Sequence, residues 1–418
     1  MKTFTGFQYL LIDAANHAGH DKERFEDRIE WATANLSQLE SLAHTVSAKS
    51  KPMYLKAVMA IRDAQKGLPS GHLVGFDGVC SGIQMMSVLT GCVAGATATG
   101  LVDPDRRADA YTQVTDEMRK ILGNHFTVSR EDAKQSLMTS YYGSRKVPKE
   151  VFGEDTPEIS AFYMAAYTVA PGAWDLLQAL LGSWNSWATV HEWKMPDGYD
   201  ARVKVLVEKE ARIEVDELNH STFTYEYTVN EGTERGLSNA ANIVHSIDGY
   251  VLRNIHRRCN YDLDIVQTAT DHIDSETNLR WHGYSKQQPI PADTNSTMAK
   301  YYIEQYDRST MADPVIFPYV TADAVKYLSD DHLEKLAAIA YAMLDYEPFE
   351  VVSVHDEFRC HANNMNHLRK QYINILAELA DSDVLSDILS QVYGAPYPIT
   401  KLSNNLSTLI RGSSYALC

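Results

Sequence analysis

Apolar residues return every three or four positions along most of this chain. That period predicts helices at about 7–17, 23–47, 51–65, 80–93, 104–122 and 129–142. It predicts more at about 157–187, 239–258, 331–345 and 362–392. The most apolar stretch, Ile159 to Trp184, is interrupted by Pro171, Gly172 and Asp175. It therefore reads as two packed helices and not as a membrane span. Arg202 to Val229 breaks the helical period. Its runs VKVLVEKEARIEV and FTYEYTV alternate apolar and polar residues, which predicts a β-hairpin. Two short apolar runs each end in an aspartate, at Phe76-Asp77 and at Val351 to Asp356. No internal repeat is evident.

Those two runs are the first candidate chemistry. A strand ending in an acidic residue delivers a carboxylate to the strand terminus, where a divalent ion can bridge it to phosphates. Between them, Arg130, Lys134, Met138 and Tyr142 recur every four residues and so share one helix face. At ~1.5 Å rise per residue, Lys134 and Tyr142 stand roughly 12 Å apart, about the reach of a nucleoside triphosphate from phosphates to base. Arg offers planar multi-point contacts to phosphate and Lys a point charge. An aromatic at the far end can stack on base or sugar. Gly143 lets the chain leave the helix. Each element alone is ordinary: Asp77-Gly78 is a common turn pair, and a helix with a cationic edge is usually just solvated. Together they suggest two-metal nucleotidyl transfer. Ser81 lacks a GxSxG elbow, and Cys80 beside an apolar strand reads as a small core residue.

Composition narrows the picture. With 418 residues and 44% hydrophobic content the chain is globular, with one large or two ordinary domains. Cys80, Cys92, Cys259, Cys360 and Cys418 are odd in number and widely spaced, with no CxxC pair, which argues against a disulfide framework or zinc site and for a reducing cytoplasm. No signal or transit segment is evident. The net charge of −17 is unusual for a nucleic-acid-binding protein. Two local basic groups stand against it: Arg130, Lys134, Arg145, Lys146 and Lys149, and Arg253, His256, Arg257 and Arg258.

The segment Gly75 to Gln84 (GFDGVCSGIQ) resembles motif A of the single-subunit DNA-dependent RNA polymerases of lytic phages and mitochondria. Arg130 to Gly143 resembles their motif B. Val354 to Glu357 (VHDE) resembles motif C of the wider family that includes bacterial DNA polymerase I. In the same order, His191 to Tyr199 and Gly236 to Gly249 resemble the segments flanking the family's specificity hairpin, and Asn405 to Leu417 resembles its C-terminal foot.

The resemblance implies an α+β, mostly helical right-hand polymerase. The expected N-terminal palm part, residues 1–105, carries motif A. Fingers at 106–244 carry motif B and a specificity-type hairpin at 201–235. A C-terminal palm at 245–418 carries motif C, an insertion at about 262–330 without a family counterpart, and the foot at 405–418. It implies that Asp77 and Asp356, with the Gly78 carbonyl, hold two Mg²⁺. Arg130 and Lys134 would take the β- and γ-phosphates, with Met138, Tyr142 and Gly143 completing the nucleotide side. DNA polymerases place a bulky glutamate where Gly82 stands, so Gly82 leaves room for a ribose hydroxyl. Tyr142 and His245 would be its polar partners. Glu357 points the other way, since phage RNA polymerases usually carry serine there. The family's large N-terminal region, with its thumb and a D-x-x-G-R segment, has no counterpart before Asp77. The chain thus resembles the larger subunit of the heterodimeric middle-gene RNA polymerase of some lytic phages. The implied partners are a second subunit carrying that region, single-stranded or melted template DNA, RNA product, ribonucleoside triphosphates and a single-stranded-DNA-binding recruitment factor. The implied location is the cytoplasm of a bacterial host, off the membrane. The alternatives are a template-directed DNA polymerase and a catalytically silent nucleic-acid-binding polymerase subunit.

Overall fold

The computed structural model describes residues 1–123, 127–236, 238–291 and 297–418. Leu237, within the segment Gly236 to Gly249, and residues 292–296, within the stretch 262–330, lie outside it. The fold is α+β and mostly helical, with small antiparallel sheets. The N-terminal part runs α1 (Gly6–Ala15), α2 (Phe25–Ala34), α3 (Leu39–Leu42), α4 (Lys51–Gln65), β1 (Leu73–Asp77), α5 (Ser81–Thr90) and α6 (Val93–Ala98). Next come α7 (Ala110–Leu122), α8 (Arg130–Ser140), α9 (Lys146–Phe152), α10 (Pro157–Val169) and α11 (Pro171–Gly182). The strands β2 (Val190–Lys194), β3 (Asp200–Lys204), β4 (Leu206–Val215) and β5 (Ser221–Asn230) lead to α12 (Ser238–Cys259), α13 (Leu263–Trp281), α14 (Thr297–Ser309) and α15 (Asp330–Leu344). The chain closes with β6 (Val352–Val354), β7 (Glu357–His361), α16 (Met365–Asp381), α17 (Val384–Tyr393) and α18 (Leu406–Gly412).

Local chemistry sets many of these boundaries. Thr5 and Gln8 form a reciprocal capping box at α1, as Ser129 and Asp132 do at α8. The expected helix 23–47 is broken, because Asn35 leaves helical geometry and its amide donates to the Trp31 carbonyl. The helix expected from 104 starts only at Ala110, where Asp109 accepts from the Tyr111 and Thr112 amides. The stretch 362–392 divides at Ser382 into α16 and α17. Only β4 and β5 form the projecting hairpin; β3 pairs instead with β2 in a separate two-stranded sheet.

The central sheet has the order β1-β7-β6, so residues from both ends of the chain meet there. Its register sets Asp77 opposite Glu357 and Phe76 opposite Phe358. One large core surrounds it, drawing on α1, α4, α5, α12 and α16. A second core packs Val266, Ile273 and Phe317, from the stretch 262–330, against Leu336 and Ala340 of α15. That stretch holds the helices α13 and α14, which hydrophobic period alone did not mark.

The basic group expected at Arg253, His256, Arg257 and Arg258 is a correction. Arg253 and Arg257 both bind Asp197, Arg257 also binds Asp313, and fully buried Arg258 pairs with Glu378 at 2.5 Å. A buried guanidinium demands a carboxylate partner, so these charges are consumed inside the fold. They tie α12 to the β2–β3 turn, to α16 and to the segment after α14.

Candidate active site

Motif-like segments from opposite ends of the chain converge on one wall of a cleft of about 510 Å³. Asp77 is the last residue of β1. Asp356 sits in the turn between β6 and β7, where His355 takes a left-handed conformation with φ 57°. The Gly78 amide donates to the Asp356 carbonyl oxygen at 3.0 Å, which clamps the two acidic turns together. The Cys418 amide donates to the Asp77 carbonyl at 3.0 Å, and the Gln84 side chain bridges the Tyr372 hydroxyl to the Thr99 and Ala416 carbonyls. Asp77 is exposed to the cleft by area, yet the surrounding walls and the charges of Asp356 and Glu357 push its carboxyl up to about 6. Lys22 and Arg359 offset only part of this charge, and two carboxylates beside a backbone carbonyl are a donor set that suits a divalent metal. Glu357 is ion-paired with Arg359 at 2.7 Å.

The opposite wall is α8. Arg130, Lys134 and Met138 line the cleft as their four-residue spacing predicts, and Tyr142 follows just beyond the helix end. Arg130 is engaged: its guanidinium binds Asp109 at 2.7 Å and lies over the Tyr111 ring. Lys134 makes no ion pair among the described residues. Gly143, with φ 89°, turns the chain away and lines a neighbouring cavity instead of the cleft.

Gly82, Tyr142 and His245 come together. A β-carbon built on Gly82 would lie 3.3 Å from the Tyr142 hydroxyl. The Tyr142 and His245 rings stack at 4.7 Å with 7° between their planes. His245 comes from α12, some hundred positions beyond Tyr142 in the chain, and partial burial together with nearby His355 lowers its pKa. It is therefore neutral at pH 7 and can donate with one ring nitrogen and accept with the other.

Several residues of the site were not singled out from sequence. Asp248 lies one turn after His245, and burial with the charge of Asp356 raises its carboxyl to about 7. Its segment was visible, but its significance depends on a neighbour far away in sequence. Asn16, His17, Asp21 and Lys22 form the third wall, just after α1 in a wide helical turn that Gly19 distorts with φ 101°. Asp13, buried, holds His72 at 2.7 Å and has His17 at 3.6 Å. Asp109 and Tyr111 sit at the start of α7, a boundary the periodicity misplaced. Cys80 is held as a thiol by burial, its pKa raised to about 11, in keeping with its reading as a packed residue.

Comparison with known proteins places these residues in a family context. Residues 3–152 match the family model described as DNA-dependent RNA polymerase. The DNA-directed RNA polymerase of Enterobacteria phage K11 is 23% identical over 400 residues, covering 72% of this chain and 44% of the phage protein. The mitochondrial DNA-directed RNA polymerase of Neurospora crassa is 26% identical over 166 residues, 33% of this chain and 12% of the relative. The mitochondrial DNA-directed RNA polymerase 1 of Arabidopsis thaliana is 27% identical over 172 residues, 33% of this chain and 18% of the relative. The chain spans less than half the length of each of these relatives. The region matched by the family model, residues 3–152, carries Asp77, Gly82, Arg130, Lys134 and Tyr142.

Proposed function

From these similarities and the geometry of the cleft, we propose that this chain is the catalytic palm and fingers of a DNA-dependent RNA polymerase. The observation that carries the reading is the convergence of Gly82, Tyr142 and His245 beside the paired acidic turns of Asp77 and Asp356. Asp77, Asp356 and the Gly78 carbonyl would hold two Mg²⁺, which when bound lower the pKa of a 3′-hydroxyl and neutralise charge at the α-phosphate. Lys134 takes the β- and γ-phosphates as an uncommitted cation. Arg130 joins it by sharing its guanidinium between Asp109 and phosphate, which fixes its orientation beforehand. Lys134 also supplies a proton to the departing pyrophosphate. Met138 borders the nucleotide, and Gly143 redirects the chain behind it. Tyr142 and neutral His245 receive the ribose 2′-hydroxyl over the space that Gly82 leaves open. Glu357, the feature in favour of a DNA polymerase, is engaged by Arg359.

In this reading residues 1–105 and 245–418 are palm, 106–244 are fingers, 201–235 correspond to the specificity-type hairpin and 405–418 to the foot. The chain works as one half of a split phage enzyme in the host cytoplasm, with a second subunit supplying a thumb and upstream template contacts. Among the described residues, no helix is long and apolar enough to cross a membrane. The hairpin segment is acidic overall, so intact duplex promoters are poor templates. Initiation uses single-stranded or melted DNA, aided by a single-stranded-DNA-binding factor.

The test is extension of a primed single strand by the purified polymerase with Mg²⁺ and either rNTPs or dNTPs. Ribonucleotide incorporation is expected. Preference for dNTPs would establish a DNA polymerase, and no incorporation with either set would establish a silent subunit. Run-off transcription on duplex and bubble templates then tests the single-strand requirement.

A further inference from the structure

The β4–β5 hairpin is a two-stranded ribbon with no third strand beside it. Strand geometry puts alternate residues on opposite faces. The register pairs Ile213 with Phe223, Ala211 with Tyr225 and Lys209 with Tyr227, so these share one face. The Tyr225 and Tyr227 rings lie 5.5 Å apart on that face. Yet the face is bare: Phe223 is 52% exposed, Ile213 48% and Tyr225 47%. A ribbon with both sides in water is marginal by itself, and a contiguous exposed apolar face marks a surface that something covers.

The other face and the tip say what kind of occupant fits. They carry Glu208, Glu210, Glu214, Glu226, Asp216 and Glu217 against Arg212 and His220, whose ring lies 2.8 Å from Glu214 and 3.2 Å from Asp216. Glu210 stands directly opposite Glu226, and neither has an ion-pair partner among the described residues. Like charges facing each other across a ladder destabilise it unless a cation intervenes. Nucleic acid would worsen this repulsion, since its backbone adds negative charge. A protein that brings lysine or arginine would relieve it.

We propose that this ribbon is the docking surface for a separate protein chain. The partner presents an apolar patch to the Ile213, Phe223, Tyr225 and Tyr227 face, and basic side chains to the Glu210–Glu226 side. Aromatic side chains on a rigid ribbon are efficient anchors, and rim charges set orientation and salt dependence. The proposal stands apart from the assignment of the cleft, since none of these residues lines it.

The test is hydrogen exchange on the full chain, with a short peptide of alternating leucine and lysine as the probe of the partner's chemistry and oligo(dT) as the competing class. The peptide should slow exchange in β4 and β5, and less so at high salt. The double variant Phe223→Ser/Tyr225→Ser should weaken that protection about tenfold or more. So should Glu210→Lys/Glu226→Lys, which keeps the aromatic face intact and covers the case in which the first variant unravels the ribbon. Primer extension by both variants should be unchanged, which separates this proposal from the assignment of the cleft. Peptide protection outside residues 206–230, equal protection in both variants, or protection of the ribbon by oligo(dT) would each overturn it.

Discussion

The cleft and the β4–β5 ribbon both gather carboxylates, yet the same residue type does opposite things in them. In the cleft and just beside it, carboxylates are crowded by protein and by the Asp356 charge, so Asp77 and Asp248 resist ionisation. On the ribbon, carboxylates project into water, and the feature without cover is the aromatic face behind them. The first arrangement concentrates charge where a small cation can bridge it. The second spreads charge where only a large partner can answer it. Net charge cannot tell these apart; burial and register can.

The largest expected break in the comparison is removal of cleft charge. Asp77→Asn or Asp356→Asn should lower primer extension by about a thousandfold or more, because the loss falls on the transition state. The same Asp77→Asn change should raise the thermal midpoint in EDTA, since it removes a carboxylate that the fold strains to ionise. Extension by either variant at near wild-type rate would show that the metal assignment is wrong. Glu210→Gln on the ribbon should leave extension untouched.

Gly82→Glu comes next. Its side chain must pass the Tyr142 hydroxyl, only 3.3 Å from where the β-carbon would stand. Ribonucleotide use should fall about a hundredfold, while the circular dichroism spectrum is retained. Full rNTP activity would mean that the ribose does not lie there. Tyr142→Phe is milder: loss of one hydroxyl hydrogen bond, about 1 kcal/mol, should relax rNTP-over-dNTP preference by roughly fivefold while the ring stays stacked on His245.

The smallest effect is on pH. Asp77 and Asp248 have pKa values raised above those of ordinary carboxyls. The folded state thus holds extra protons between about pH 4 and 7, and the stability they contribute is complete below the unfolded pKa. It is lost as pH rises through about 6 and then about 7. The thermal midpoint in EDTA should therefore drop across that window by a few degrees, and millimolar Mg²⁺ should restore it at pH 7.5. A flat profile, or one unchanged in Asp77→Asn, would remove the electrostatic account of the cleft.

Much of the site was legible because its parts are local. The Asp77 turn, the four-residue ladder from Arg130 to Tyr142 and the aspartate after β6 each depend on short-range spacing. What stayed hidden depends on distant neighbours. Asp248 matters through Asp356, the Arg253 and Arg257 charges vanish into Asp197 and Asp313, and Lys22 enters the cleft only because a wide turn after α1 faces β1. The helices α13 and α14 were masked by polar composition, since they bury one side against a separate core. The start of α7 was misplaced because a single cap residue, Asp109, sets it.

The bond between Gln84 and the Ala416 carbonyl spans 332 positions, and the clamp between Gly78 and Asp356 is nearly as long-ranged. Contacts of such sequence separation form late, because loop closure comes before any gain from pairing. During synthesis at roughly 5–20 residues per second, the strand bearing Asp77 waits tens of seconds for the residues that complete its turn. A nascent chain that has emerged only as far as α8 therefore keeps its acidic turns apart, and the core around β1 is closed only when the last segments dock.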